Sequence, residues 1–530
     1  MEAIWNSILH HKMFVKATLA ATCVFLALIY SVTGNDVETV AVTDGHSRNA
    51  MKKTKRKKKK YPPGPSGLPF FGVHFKVTSG KLHENLEQWK RQYGNIVSFK
   101  ILGQNIVVLN SPDLIKKAFE SDEFAPLMSD RPPNFIGRHV MYGYKDVLLN
   151  SYNESFRKMK KLMVSCINKY GFSSKHFQDI ADEEFRGMLN EFHARNGQAM
   201  DPIGILMPSF CKLIGGFFSG KLLKDGDPIL DSIIRMDHDG DIMIQPQVHG
   251  ILGKFPWLRR CCGFYGNLYN NVIQERESLF QSLVIGMKKT VDKDNTQCYS
   301  HHMLSSKEEY DWLTDEHING MLMDLINTSV LTTKSVMSGM IYMWLHLPDV
   351  QQKMRDEIEQ VIGRDRLPTA EDRKNMPYVQ ACIYELLRYQ SHLPLTAAHA
   401  NNDHEVEFEG YTIPKGTVIF GNLYGAHHDD EIWDEPWEFR PERFLTEDGA
   451  PVPRDNAVHN NSIAFGVGER KCVGKEMAYD RMFLYSVHLL RTFDFQPEID
   501  TVLPPHDPRH FAIASPVILP KNFKCRAIPL

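Results

Sequence analysis

Cysteine is scarce in this chain: nine residues in 530, two of them adjacent at Cys261-Cys262 and the others scattered. An odd, widely spaced set argues against the dense disulfide framework of a small secreted protein and favours a reducing compartment. No Cys-x-x-Cys pair and no His-x-x-x-His with matching cysteines occurs, so a structural zinc site has little support. Net charge is also small. The formal value is -2, and nothing in the global electrostatics calls for nucleic acid as a partner. Beyond residue 61 there is no low-complexity linker and no internal repeat, and no loop of the kind that cradles a nucleotide is present. One domain of roughly 470 residues is therefore preferred to two.

What is present begins near the N-terminus. Met13 to Val32 supplies 20 residues with a single charge, Lys16, a length that at helical rise matches the hydrocarbon thickness of a bilayer. Lys16 can snorkel toward the headgroups. A cleaved signal peptide is the alternative, but Ser31-Val-Thr33 is a poor small-residue cleavage site, and an anchor over residues 1–33 is favoured. Lys52-Lys-Thr-Lys-Arg-Lys-Lys-Lys-Lys60 then places eight cations in nine residues. By the positive-inside rule this puts the N-terminus in the lumen and the remainder in the cytosol. The run also has the composition of a nuclear-type or nucleic-acid patch; beside an apolar span, contact with anionic membrane lipid explains it better. Residues 34–60 are thus a polar and polybasic linker. Tyr61-Pro-Pro-Gly-Pro-Ser-Gly-Leu-Pro69 follows as a stiff extended spacer, and the globular part, 61–530, begins there.

Helical patterns dominate the middle, with a long one from about Glu316 to His346, ended by Pro348, and another from Pro348 to Ile362, closed by Gly363. Strand-like alternation appears at Ile96–Leu109 and at Val406–Ile419. The expected fold is mainly α with small β-sheets.

The strongest local signal is Phe465-Gly466-Val467-Gly468-Glu469-Arg470-Lys471-Cys472-Val473-Gly474, followed by the helix-forming Lys475-Glu-Met-Ala-Tyr-Asp-Arg481. A cysteine on a glycine-shaped loop that runs into a helix receives backbone N–H groups and the positive end of the dipole, and both favour a thiolate. The glycines permit a tight turn and close approach to a flat ligand, Phe465 can shield the sulfur, and Arg470 offers a cation to a carboxylate. Taken bare, such a loop more often holds a buried, inert thiol. The ten-residue string, however, resembles the haem-binding loop of the cytochrome P-450 family, Phe-x-x-Gly-x-Arg-x-Cys-x-Gly, at all five fixed positions. Glu385-Leu-Leu-Arg388 is by itself an ordinary ion pair at i and i+3. Together with Pro441-Glu-Arg443-Phe444 it resembles the family's Glu-x-x-Arg and Pro-Glu-Arg-Phe elements, in the same order and ahead of the cysteine.

The resemblance implies the P-450 fold with haem b as cofactor, Cys472 as thiolate ligand of the iron, and Arg470 paired with a propionate. A thiolate in that position favours O–O cleavage. It also implies that Glu385, Arg388 and Arg443 form a buried structural network, since buried charges must be paired. His399 stands where the family's drug- and steroid-metabolising branch has a propionate donor; an exposed loop histidine is the alternative. Phe156-Arg-Lys-Met-Lys160 departs from the pattern, with Phe and Lys where Trp and Arg are usual, so Lys160 keeps the charge but loses the planar fork. Pocket walls are implied for Arg131–Leu149, Met207–Gly220, Leu322–Thr333, Leu393–Ala398 and Phe511–Val517. In the oxygen-activating helix, where the family reads Ala-Gly-x-(Asp or Glu)-Thr, this chain has Thr328-Ser329-Val330-Leu331-Thr332. The threonine survives as the catalytic alcohol; the acid does not.

The activity implied is a monooxygenase of the endoplasmic reticulum membrane, its catalytic domain cytosolic, acting on a lipophilic steroid, fatty acid or xenobiotic. Electrons would come from NADPH through NADPH-cytochrome P-450 reductase, with cytochrome b5 as a further donor. Arg157, Lys158, Lys161, Lys471 and Lys475 could make the cysteine side basic, suiting an acidic donor, or form an ordinary solvated surface. Two other functions stay open: an O2-independent haem-thiolate isomerase or dehydratase, and a non-catalytic haem-binding sensor.

Overall fold

Local signals account for where the elements start and stop. The computed structural model describes residues 59–69, 71–74, 82–289, 291, 296–514 and 516–530; the expected anchor and most of the basic run lie outside them. Residues Lys59–Leu530 form one compact unit. Among the described residues helices dominate, and the sheets are small: one of four strands and three of two.

The four-stranded sheet contains β1 (Ile96–Ile101), β2 (Gln104–Leu109), β3 (His399–Ala400) and β4 (Val418–Gly421), in the order β1-β2-β4-β3. The alternating stretch Ile96–Leu109 is therefore a hairpin and not one strand. The chain reverses at Leu102 and Gly103, both at positive φ, so that Ile96 faces Leu109. Likewise Val406–Ile419 divides into a hairpin, Val406–Phe408 with Tyr411–Ile413, and then β4, because Glu409-Gly410 turns at positive φ and Pro414 has no donor for a ladder. His399 lies opposite Ile419, which delivers it to the interior.

Five helices frame the site. They are α1 (Glu154–Tyr170), α2 (Pro202–Ser219), α3 (Asp315–His346), α4 (Pro377–Gln390) and α5 (Lys475–Thr492). The Asn153 side chain caps α1 by accepting from the Phe156 N–H. The Thr314 hydroxyl accepts from the His317 N–H at the start of α3, and Pro348 ends that helix as the sequence requires. With 32 residues, α3 is about 48 Å long at helical rise. It is apolar on most of its circumference and buried along most of its length, as a helix through the centre of a large core must be. That burial lapses at Thr328, Ser329 and Thr332.

By length and composition alone α2 could cross a membrane, but Phe210, Leu213, Ile214, Phe217 and Phe218 are sealed in the main apolar core. Met207–Gly220, expected as pocket wall, is thus largely core.

Candidate active site

Glycine geometry builds the cysteine loop. Gly466 and Gly468 both have positive φ, and a Cβ on Gly468 would fall 2.0 Å from the Phe119 carbonyl oxygen, so no other residue fits there. The Cys472 N–H donates to the Phe465 carbonyl at 2.9 Å and closes the loop. The ring of Phe465 leans on Tyr479 at 4.9 Å between centroids. Gly474 caps α5 without a side-chain hydrogen bond, leaving the first-turn N–H groups and the positive helix end next to the sulfur. Burial pushes the Cys472 thiol up, while the Gly474 N–H, Arg481 and Lys475 pull it down. The same residue is solvent-accessible. The two observations agree if the thiol lies on the wall of an interior recess, accessible to small molecules but surrounded by protein.

A cationic cluster stands beside the loop. Arg470 donates from Nε to the Ser129 carbonyl at 2.9 Å, from Nη1 to Val147 at 3.3 Å and from Nη2 to Asn150 at 2.6 Å. Its guanidinium lies 3.8 Å from the Phe156 ring centroid. Arg131, which the sequence reading left as part of a pocket wall, is fully enclosed. Its Nε donates to Leu148 at 2.8 Å and its Nη1 to Ala398 at 2.7 Å and Ala397 at 3.2 Å. Burial lowers Arg131 to about 10; burial and then Arg131 lower Arg470 to about 9. Neither forms a salt bridge among the described residues, so two guanidinium charges share a nearly closed space. Arg131 Nη2 has no acceptor there. Nothing in Arg-Pro-Pro on a polar loop distinguishes this residue from a solvated arginine, which is why the sequence did not reveal it.

His399 is buried and stacks on Phe119 at 3.7 Å. Burial, then Arg131 and Arg470, hold its pKa well below the usual imidazole range. It is therefore neutral, and the 3.2 Å contact of Nδ1 with the Met128 carbonyl places the proton on Nδ1. Donation from Nε2 to a carboxylate would require the imidazolium. Lys160 reaches the cysteine loop, where its ammonium is engaged by the backbone carbonyl and carboxylate of Glu469.

Behind the loop, Arg388 grips Glu385 bidentately at 2.7 and 2.8 Å and donates to the carbonyls of His427, Pro436 and Glu438. Arg443 adds a 3.3 Å contact to Glu385, whose side chain is completely buried, as is that of Arg388. Every donor is matched, which is what makes a buried ion network tolerable.

On α3 the hydroxyls bond back to their own helix. Thr328 donates to the Asp324 carbonyl and Thr332 to Thr328, both at 2.7 Å. Each hydroxyl oxygen keeps its capacity to accept. Leu331 is 7% exposed and carries no proton.

These residues accommodate a haem. A Cβ built on Gly474 would meet open space, α3 uncovers hydroxyls in the middle of the core, and Arg131 Nη2 and His399 Nε2 have no partner among the described residues. A flat ligand with two carboxylates would fill that space and balance those charges. A cleft of about 630 Å³ between Pro126–Asp130, Ser151–Asn153 and Asn402–His404 includes neither Cys472 nor α3, and is a separate feature of the surface.

Comparison with known proteins points the same way. The family model for cytochrome P-450 matches residues 62–524. Cytochrome P-450 2D27 of Mesocricetus auratus is 27% identical over 444 residues, 82% of this chain and 87% of that protein. Vitamin D(3) 25-hydroxylase of Sus scrofa is 26% identical over 483 residues, 89% of this chain and 93% of the relative. A cytochrome P-450 monooxygenase of Armillaria gallica is 28% identical over 481 residues, 89% of each.

Proposed function

The chain belongs to the cytochrome P-450 family and is a haem b oxidoreductase, and from that premise we propose that it oxygenates a lipophilic substrate with electrons relayed from NADPH. The carrying observation is the accessible Cys472 thiol on a loop shaped by Gly466 and Gly468 at the start of α5, with Thr328 and Thr332 left unburied on the otherwise buried α3. When bound, the haem supplies the activation of O2 that transfers one oxygen atom to substrate and releases the other as water.

The chain's own residues do the rest. Cys472 is assigned as the iron ligand; Arg470 and Arg131 would hold the propionates, with His399 joining them only as an imidazolium, and Phe465 covers the loop. Lys160 fixes the loop through Glu469. Thr332 is assigned as the catalytic alcohol. Its hydrogen is committed to the Thr328 carbonyl, so it acts first as an acceptor and moves a proton only by rotating. Leu331 relays nothing, which leaves proton delivery to water reaching Thr328 and Thr332.

An apolar surround and a relative named a vitamin D(3) 25-hydroxylase support a lipophilic substrate. Exposed Arg157, Lys161, Lys471 and Lys475 near the cysteine loop support docking of an acidic donor, NADPH-cytochrome P-450 reductase, with cytochrome b5 as a second. Residues 1–33 as anchor and 34–60 as lipid-facing linker would hold the domain 61–530 at the cytosolic face of the endoplasmic reticulum. Removal of residues 1–60 should release the protein from membranes in high salt with its haem spectrum intact.

The test is reconstitution of the purified protein with the reductase, NADPH and isotopically labelled O2, reading label in the product. The missing acid at 331 favours one second reading, an O2-independent rearrangement of peroxides; product formed without NADPH and O2 would establish it.

A further inference from the structure

Two buried carboxyls have no part in the site just described. Asp146 is 0% exposed and Asp324, on α3, is 5% exposed. Asp324 Oδ2 accepts the N–H groups of Val147 and Leu148 at 2.7 and 3.0 Å, and Asp146 Oδ2 accepts that of Leu149 at 2.7 Å. The other oxygen of each carboxyl is sealed with no partner among the described residues. The turn they hold lies directly on α3: a Cβ on Gly320 would fall 2.0 Å from the Lys145 carbonyl oxygen, so the helix carries glycine where the segment crosses it.

The same turn receives the two guanidiniums of the cationic cluster, and the bonds share peptide groups. The peptide joining Val147 to Leu148 donates its N–H to Asp324 and accepts Arg470 Nη1 at its carbonyl, 3.3 Å away. The next, joining Leu148 to Leu149, donates to Asp146 and accepts Arg131 Nε at 2.8 Å. In a planar trans peptide the N–H and C=O point opposite ways. Each acid and its arginine therefore grip opposite edges of one rigid plate, and neither can shift without tilting it. Polarisation acts in the same sense, since an N–H drawn toward an acceptor leaves its carbonyl a better acceptor in turn. Burial raises both carboxyls, Asp146 to about 7. The arrangement survives that, because a protonated carboxyl still has a carbonyl oxygen that accepts.

We propose that Asp146 and Asp324 are positioning residues for the cofactor: Asp146 sets Arg131 and Asp324 sets Arg470, each through a single peptide group, and together they fix the guanidiniums that hold the haem carboxylates. This rests on the reading that those two arginines bind the propionates.

The experiment is a set of double-mutant cycles on the full-length holoprotein, read as the rate of haem transfer to excess apomyoglobin, with thermal unfolding of each apoprotein recorded beside it. Asp146→Ala should speed transfer about 3- to 10-fold, less than Arg131→Ala, because it loosens the guanidinium without removing it. Its effect should largely vanish when Arg131 is already Ala and persist when Arg470 is Ala; Asp324→Ala should show the reverse. Asn at either position keeps an acceptor oxygen and should release haem at close to the wild-type rate. An equal effect of Asp146→Ala in the wild-type and Arg131→Ala backgrounds overturns the proposal and leaves the acids as supports of the turn alone. Where an Ala variant does not load haem the Asn variant decides, since release as fast as from Arg131→Ala removes the acceptor role. Unchanged transfer in both Arg131→Ala and Arg470→Ala would instead refute the propionate assignment, so the two failures are distinguishable.

Discussion

Arg131→Ala removes a guanidinium whose Nε and Nη1 brace the carbonyls of Leu148, Ala397 and Ala398 while Nη2 has no acceptor among the described residues. Two effects separate. Leaving braced carbonyls unpaired costs about 1–3 kcal/mol each in fold stability, and the longest bond, to Ala397, should matter least. Losing the free Nη2 removes a charge-assisted bond to a haem carboxylate, worth about 1.5–3 kcal/mol, or roughly 10- to 150-fold in haem affinity. A partial offset comes from Arg470, whose guanidinium lies close enough to feel Arg131 and stays behind as a second cation. The expected loss therefore lies toward the lower end of that interval. Arg131→Lys keeps the charge but cannot span the carbonyls and the recess at once, so it should fall between wild type and Ala. The assay is haem transfer from the purified holoprotein to an excess of apomyoglobin, followed at the Soret band, with thermal unfolding of the apoprotein recorded separately. Haem loss from the Ala variant at the wild-type rate, with only the unfolding temperature reduced, would show that Arg131 supports the fold without touching the cofactor.

Cys472→Ser should abolish the thiolate-type band of the reduced, carbonyl-bound protein, and retention of the band would remove the cysteine from the site. Wild-type protein turning over with its reductase should release much of its oxygen as peroxide, because Leu331 cannot carry a proton. Leu331→Glu should lower the peroxide formed per NADPH, within the roughly 10²- to 10⁴-fold scope of positioned proton transfer; tight coupling that Thr332→Ala leaves unchanged would contradict this. Burial raises Asp146 from 3.8 to about 7, and burial together with Asp146 holds Asp324 well above its ordinary value. The folded state then keeps protons that the unfolded chain releases, so stability falls as pH rises from about 4 through 7. Asp146→Asn should flatten that decline in denaturation midpoints; an unaltered slope would show that the carboxylate is already ionised in the fold.

Much of the frame is written locally. Thr314 and Pro348 bound α3 because a capping hydroxyl and a missing N–H act on their own turns. The Gly466–Gly468 spacing marks the cysteine loop because positive φ is a property of the residue itself. The hairpins were less legible, since alternation continues through a tight turn and hides it until the strands pair.

The site's electrostatics were hardly legible at all. A sequence shows that Arg131, Arg470, Arg481, Lys160 and His399 exist; it does not show which are enclosed. Lys160 and His399 were identified as charged or donating groups, yet Lys160 is engaged by Glu469 and His399 is neutral with its proton on Nδ1. Arg131 was read only as pocket wall and Arg481 only as part of a helix, and the structure buries both with carbonyls as their hydrogen-bond partners. Sequence by itself determined the glycine-shaped cysteine loop, the bounds of the long helix and the absence of an acid at 331, because backbone dihedrals, caps and side-chain chemistry are carried within a few residues. Tertiary structure alone decided which charges are buried and which donors are left free. Desolvation and compensation depend on chain segments hundreds of residues apart, such as Arg131 with Ala398 and Arg481 with Ser329, brought together only by packing.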